Sequence, residues 1–298
     1  MLDWHVAVYA VNEAERLAAC LHSILAALAG SSFRISLVLN GTSDGSEPIA
    51  GAIALAGAPI DIYRIAHADK SNAINHFYYE LRRPARLYAE VDGHVKIAKV
   101  ALQVMGDRLA RDAAALTVSG IAINGRTMPK WDAERAKGGR LMGGLHALRP
   151  ALLDRMVARG IRLPIGLYRG DGLIGSMAAH DLDPRHIPWD NARVAGEREA
   201  HVEVHQLNPL RPVHLRRQFR RKISQMRGMI ENAAIAEIIY RDGFEGLPRF
   251  ADDMIATYLA RHAPPMVSWP DRVFQRMAIA RSRAAIRPGE AALVARKV

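Results

Sequence analysis

Cysteine is nearly absent. Cys20 stands alone among 298 residues, which excludes a disulfide framework and a thiolate zinc cage within one chain. Long apolar runs are missing too. No stretch approaches the roughly 18 apolar residues of a membrane span, and Met1 to Ala10 lacks the basic, apolar and small-residue order of a secretion signal. The expectation is a soluble, cytoplasmic chain. There is no internal repeat and no low-complexity tract, and with 50% apolar residues the chain can bury a sizeable core, so disorder throughout is excluded. Tyr9 to Arg16 contains no glycine, so the first strand-to-helix turn offers no Gly-rich phosphate loop of the kind a nucleotidyltransferase needs.

What the chain does have is positive charge concentrated at one end. Lys and Arg outnumber Asp and Glu by 41 to 30 overall, yet residues 211–298 alone hold 17 against 8. The first 210 residues are nearly balanced. A basic segment behind a neutral body points to an anionic partner at that end: membrane phosphates, nucleic acid or a diphosphate-bearing substrate.

Trp4 to Val11 is rich in β-branched and aromatic residues and reads as a strand, and the apolar spacing of Leu17, Cys20, Leu21, Ile24, Leu25 and Leu28 reads as a helix. The alternation continues. Strands are expected at Phe33–Leu39, Ile60–Ile65 and Arg86–Val91, with helices at Glu47–Ala56 and Ser71–Leu81 between them. A helix over Val95–Leu109, a strand over Ala115–Ile123, a Gly-rich loop from Lys137 to Gly144 and a helix near Pro150–Arg159 follow. Glu199–Gln206 resembles a strand, and the chain from Val213 reads as two or three helices broken at Gly243-Gly246-Pro248 and Pro264-Pro265. Alternating strands and helices imply an α/β fold, a mostly parallel sheet flanked by helices, with ligands beyond the carboxyl ends of the strands. Asn12-Glu13, Asn40-Gly41 and Asp92-Gly93-His94 then share one rim. The expected division is a body over 1–210 and a basic helical region over 211–298.

The order of these clusters resembles glycosyltransferase family 2, whose fold is the nucleotide-diphospho-sugar-binding fold called GT-A. Val6 to Glu13 looks like its opening strand and turn, and Leu37 to Ser46 like its second strand with an Asn-Gly-Thr-Ser-Asp-Gly turn. Lys70-Ser-Asn-Ala-Ile-Asn75 is similar to its Gly-Lys-x-x-Ala-x-Asn segment, with Asp69 where glycine is usual. Leu87 to His94 corresponds to the strand closing on Asp-x-Asp, and Gly170-Asp171-Gly172-Leu173 stands where the family has Glu-Asp-x-x-Leu.

The resemblance implies chemistry for each piece. A divalent cation beside the donor diphosphate needs hard or borderline ligands, and Asp92 with His94 supplies an oxygen and a nitrogen at one strand end, which favours Mn2+ over Mg2+. Asp-x-His also resembles the metal motif of polypeptide N-acetylgalactosaminyltransferases. His205, from His201-Val-Glu203-Val-His205, is the candidate third ligand; a solvated strand face is the alternative. Asp171 is the candidate base for the acceptor hydroxyl, against a plain turn or helix-capping Asp. Asn12, Glu13, Asn40 and the main chain near Ala10 would meet base and ribose, Lys70 the base or diphosphate, and Arg221 of Arg216-Arg-Gln-Phe-Arg-Arg-Lys222 the diphosphate. In place of the tryptophan of the processive Gln-x-x-Arg-Trp motif stands Lys222. Asn12-Glu13 could instead cap the first helix.

The resemblance therefore implies a metal-dependent, inverting transferase that moves a sugar from a nucleotide-diphospho-sugar, a UDP-sugar foremost, to a glycan or lipid-linked acceptor. A non-catalytic binding subunit docking on a membrane or polyanion is the alternative, motivated by Gly170 and Lys222. Residues 213–240 mix Arg with apolar residues as a peripheral membrane helix would. A nucleic-acid partner is not expected, because the basic region has few aromatics and no recognition motif.

Overall fold

The computed structural model describes residues 1–123, 138–204 and 212–298, except the side chains of 212–214 and 217. Among the described residues nine strands form one sheet in the order β5-β8-β6-β7-β4-β1-β2-β3-β9. They are β1 (Leu2–Ala10), β2 (Phe33–Asn40), β3 (Ile60–Ile65), β4 (Ala85–Asp92), β5 (Val95–Ile97), β6 (Thr117–Ala122), β7 (Leu145–Leu148), β8 (Val194–Val204) and β9 (Arg296–Lys297). The block β4-β1-β2-β3 is parallel, and so is β6 beside β8. Antiparallel pairing is confined to β7 and to the outer strands β5 and β9. Helices cover both faces: α1 (Ala14–Ala27), α2 (Ser46–Leu55), α3 (Lys70–His76, continued as a π-helical turn over Phe77–Leu81), α4 (Ala101–Arg111), α5 (Pro150–Ala158) and α6 (Gly170–Ala179). The mostly parallel α/β architecture expected from the alternation is the one observed.

Burial explains the central strands. β1 runs buried from Trp4 to Ala10 because both of its faces are covered. Val6, Val8 and Ala10 point into a core shared with α1 and α4, while Ala7 and Tyr9 join a second core under α3, α5 and α6. Strand parity thus divides one apolar run between two layers.

The basic region is helical as expected: α7 (Pro212–Asp242), α8 (Ala251–Arg261) and α9 (Trp269–Arg283). It is also woven into the body. Ala234, Ile235, Ile238 and Ile239 of α7 belong to the second core, and β9 pairs with β3. Ahead of β9 the Leu293 carbonyl accepts from Asn72 (2.8 Å) and His76 (2.6 Å) of α3, and Lys297 reaches Asp61 (2.8 Å).

Two local expectations need correction. The stretch Val95–Leu109 is not one helix: Val95 and Ile97 alternate as β5 against Val204 and Val202, and α4 begins only at Ala101. The cause is tertiary, since β8 offers an edge that a three-residue strand can satisfy. Between the Gly-rich loop and α5 lies β7, a fully buried four-residue run too short to show a period.

His5 gives this sheet a pH dependence. It is fully buried on β1, its Nδ1 accepts from the Arg83 N–H (2.9 Å), and its Nε2–H donates to Ser36 Oγ (2.9 Å). Burial first, and the Arg83 guanidinium second, lower its pKa from 6.5 to about 4. The unfolded chain therefore takes up the proton first. Stability from this site is complete above pH 6.5 and is lost as pH falls to about 4, by up to about 3 kcal/mol. Urea unfolding at pH 7.5 and 4.5 should show a smaller loss in His5→Gln than in the wild type.

Candidate active site

The site begins at the end of β4. Asp92 closes the strand, its N–H bonded to the Gly144 carbonyl (3.2 Å), and Gly93 turns the chain so that His94 follows on the same rim. Only glycine fits between them. A Cβ at 93 would lie 2.7 Å from the Ala10 Cβ and 3.1 Å from the Tyr9 carbonyl oxygen. Asp92 and His94 both line a cavity of about 1110 Å³ that also receives Lys70, Asp171 and Arg221. Five of the expected site residues are thus brought together.

Lys70 is the cation at the centre. It opens α3, whose N-cap is Asp69: the Asp69 carboxylate accepts from the N–H of Asn72 (2.6 Å) and of Gly166 (2.7 Å). This accounts for an aspartate where the family has glycine. It caps the helix and ties it to the loop that leads to Asp171. The Lys70 ammonium donates to Asp92 Oδ1 and to the Gly143 carbonyl (3.1 Å). Burial alone would lower its pKa, but Asp92, Asp171 and the buried Glu90 outweigh that and raise it, so Lys70 is a fixed positive charge.

Asp171 is in the first turn of α6, half-buried. Among the described residues its carboxylate accepts no hydrogen bond and forms no ion pair. Gly143 stands between it and Lys70: a Cβ there would lie 3.2 Å from Asp171 Oδ2 and 3.6 Å from Lys70 Nζ. Gly170 replaces an acidic residue for a steric reason, because a Cβ at 170 would lie 3.1 Å from Leu163 Cδ2 and 3.3 Å from Ser71 Oγ. Gly172 by contrast faces open space, with nothing nearer than the Arg169 Cβ at 3.8 Å.

The residues expected at base and ribose form a neighbouring cluster. Ala10, Asn12, Glu13 and Asn40 do not line the cavity. The Ala10 carbonyl accepts from Asn40 Nδ2 and Thr42 Oγ1 (both 3.2 Å), and Asn12 Oδ1 accepts from the Ser43 N–H (2.8 Å). Neither Asn12 nor Glu13 caps α1 with its side chain; Asp44 does so from the next loop, accepting from the Ala14 N–H (2.9 Å). Glu13 is buried, bridges to Arg16 (2.7 Å) and lies 4.0 Å from His94 Nδ1, so the cluster touches the cavity through Arg16 and His94.

His205 lies outside the described residues. The other two members of the expected set are on β8: Glu203 pairs with Lys96 (3.4 Å), and His201 shares its face of the strand. No three metal-ligating side chains cluster among the described residues. Arg220 and Arg221 of α7 reach the cavity, while Lys222 turns away to Asp271 of α9 (2.8 Å), which explains its place in the altered motif. Sequence reasoning missed Arg16, Gly143, Arg169, Trp189 and Tyr240, all lining the cavity. For Gly143 the glycine-rich loop was a signal; the others come together only through the fold.

Solved structures share this fold. The mannosyltransferase PcManGT from Pyrobaculum calidifontis, in complex with GDP-Man and Mn2+, is similar at a TM-score of 0.61 and 15% identity over 95% of this chain and 86% of that one. S. aureus TarS 1-349 in complex with UDP-GlcNAc is similar at a TM-score of 0.56 and 13% identity, over 94% and 81%. At these identities the likeness is one of fold. No curated protein matches the sequence. Residues 5–166, more than half of the chain, match the profile described as glycosyl transferase family 2, and with the GT-A-like sheet and its strand-end carboxylates this chain belongs to that family.

Proposed function

We propose that the chain transfers a sugar with inversion from a nucleoside-diphosphate sugar, a UDP-sugar foremost, to a hydroxyl of a glycan or lipid-linked acceptor. The observation that carries this reading is the meeting of Asp92, Lys70 and Asp171 in one cavity. Asp171 takes the proton from the acceptor hydroxyl while that oxygen bonds to the anomeric carbon. The bond from that carbon to the phosphate oxygen breaks, and its electron pair leaves with the diphosphate. Lys70, Arg220 and Arg221 face the charge that builds there.

Asp92 and His94 would hold a divalent metal, Mn2+ in preference to Mg2+. Such a metal supplies Lewis-acid stabilisation of the leaving diphosphate. The donor set fits in part, since two side chains are in place and Lys70 shares Asp92 with any metal. Nucleoside diphosphate with Mn2+ should raise the melting temperature by several degrees, by mass action on the folded state. UDP-sugars and GDP-mannose are the arms to compare, and no shift with any of them would refute the reading.

Cytoplasmic placement with peripheral membrane contact belongs to the same proposal. No described helix is long and apolar enough to cross a membrane. The outward face of α9, however, combines Trp269 (80% exposed) and Val273 with Arg272, Arg276 and Arg283, which form no ion pair among the described residues. Apolar wedges among unpaired arginines suit an anionic bilayer surface. Vesicles containing phosphatidylglycerol should co-sediment the protein, vesicles of phosphatidylcholine alone should not, and Trp269→Ala should weaken the binding severalfold.

A further inference from the structure

The cavity also runs to the C-terminal end of α6. Trp189 and Tyr240 line it with their rings 45% and 55% exposed. Large aromatics left open in a concave site call for a ligand. These two are also held in place. Between them His180 is buried at the C-terminal end of α6, with both rings edge-on to its imidazole at 5.5 and 5.6 Å. Its Nδ1–H donates to the Ile187 carbonyl (2.7 Å), which leaves Nε2 to accept from the Tyr240 hydroxyl (3.3 Å). The Trp189 indole N–H donates to Asn191 Oδ1 (2.7 Å). The polar handles of both rings are engaged within the protein, so the apolar part of each ring is what remains for the cavity.

We propose that Trp189 and Tyr240 form an acceptor subsite that stacks a pyranose ring of an oligosaccharide beyond the sugar that reacts. The proposal deepens the transferase reading and rests on it, because Asp171 marks where the reacting hydroxyl must be. One helix sets the spacing. Asp171 is in the first turn of α6 and His180 caps its other end, nine residues on, which corresponds to about 13 Å along the axis. That separation is too long for a single pyranose. Gly172 and Ser176 of the same helix line the cavity between the two ends, and the exposed Gly172 carries no side chain to obstruct an extended ligand.

The chemistry selects a saccharide over an acyl chain. A pyranose offers C–H groups on its face, which suit the negative face of an aromatic ring, and hydroxyls around its edge. The cavity provides both kinds of partner, since the polar side chains of Ser176 and Asn232 line it together with the aromatic rings. A lipid chain would strand those polar groups out of water.

A glycan array printed with mono- to hexasaccharides, probed with the labelled full chain, tests this without a donor. Saccharides of two or more rings should be retained and monosaccharides not, and the Trp189→Ala/Tyr240→Ala variant should lose at least about tenfold in apparent affinity. Trp189→Phe, which keeps a ring, should retain binding, and Trp189→Leu, which keeps bulk without a π face, should lose it. No oligosaccharide retained, undiminished retention in the double variant, or equal retention by the Phe and Leu variants would overturn the proposal. The thermal shift with nucleoside diphosphate and Mn2+ on the same preparations is read separately. Its absence in the wild type counts against the transferase reading, whereas its persistence alongside a failed array counts against the subsite alone.

Discussion

Asp171→Asn should lower turnover by about two to four orders of magnitude while leaving donor binding intact. The substitution keeps the shape of the side chain and removes its ability to take a proton. Little else depends on the carboxylate: among the described residues it accepts no hydrogen bond, and Lys70, which feels its charge, is already engaged by Asp92 and the Gly143 carbonyl. The fold should therefore tolerate the change. The check is a pair of measurements on one preparation, namely nucleoside diphosphate released in the presence of acceptor and the thermal shift produced by donor with Mn2+. A variant that still turns over within a few-fold of the wild type would assign the base elsewhere. Loss of the thermal shift together with activity would instead make Asp171 a binding residue.

The residues in that experiment were legible before the structure because they stand at strand ends and helix starts, where a parallel sheet collects its ligands. Asp92, His94, Lys70 and Asp171 follow recognisable strands or open recognisable helices. What the sequence could not show is how partners far apart in the chain divide their hydrogen bonds. Asn40 reads as a ribose ligand, yet its amide is taken by the Ala10 carbonyl. Asp69, Gly170 and Lys222 look like departures from a motif, and each has a local setting: a helix cap that also holds Gly166, tight packing against Leu163 and Ser71, and an ion pair to α9. Val95–Ile97 was hidden inside an apolar stretch because its strand pairing depends on β8, about a hundred residues later. The two-residue β9 carries no period at all. The aromatic wall was illegible for the same reason, since Trp189, His180 and Tyr240 share no motif and meet only when α7 crosses the end of α6.

The position of Asp171 depends on a buried ion network that no motif reveals, and breaking it should cost about 3–5 kcal/mol of stability in Arg227→Met. Arg227 of α7 is mostly buried and bonds Glu231 (2.7 Å), Asp252 of α8 (2.7 Å) and the Gly166 carbonyl (3.0 Å). Glu231 is completely buried, and its two oxygens accept from the Tyr168 N–H (3.3 and 3.1 Å). Arg227 and Glu231 thus clamp the loop from Gly166 to Tyr168 that leads into Asp171. Burial raises the Glu231 pKa even with Arg227 opposing the shift. Without the arginine it rises further. A raised folded-state pKa makes the buried carboxylate a burden that grows as pH climbs above its unfolded value, so Arg227→Met should be closest to the wild type at pH 5 and furthest from it at pH 8. Urea unfolding at the two pH values measures the difference. A pH-independent loss would mean that the arginine contributes packing and not charge compensation. The double variant Arg227→Met/Glu231→Leu should recover most of the stability, because the fully buried charge is gone and Asp252, which loses the same partner, is partly exposed and keeps the Ser282 hydroxyl (2.5 Å). It should still turn over more slowly than the wild type, since the Tyr168 N–H loses its acceptor and the loop is no longer fixed against α7. Recovery of stability without recovery of turnover would separate the two functions of this network: offsetting a buried charge and fixing the catalytic loop.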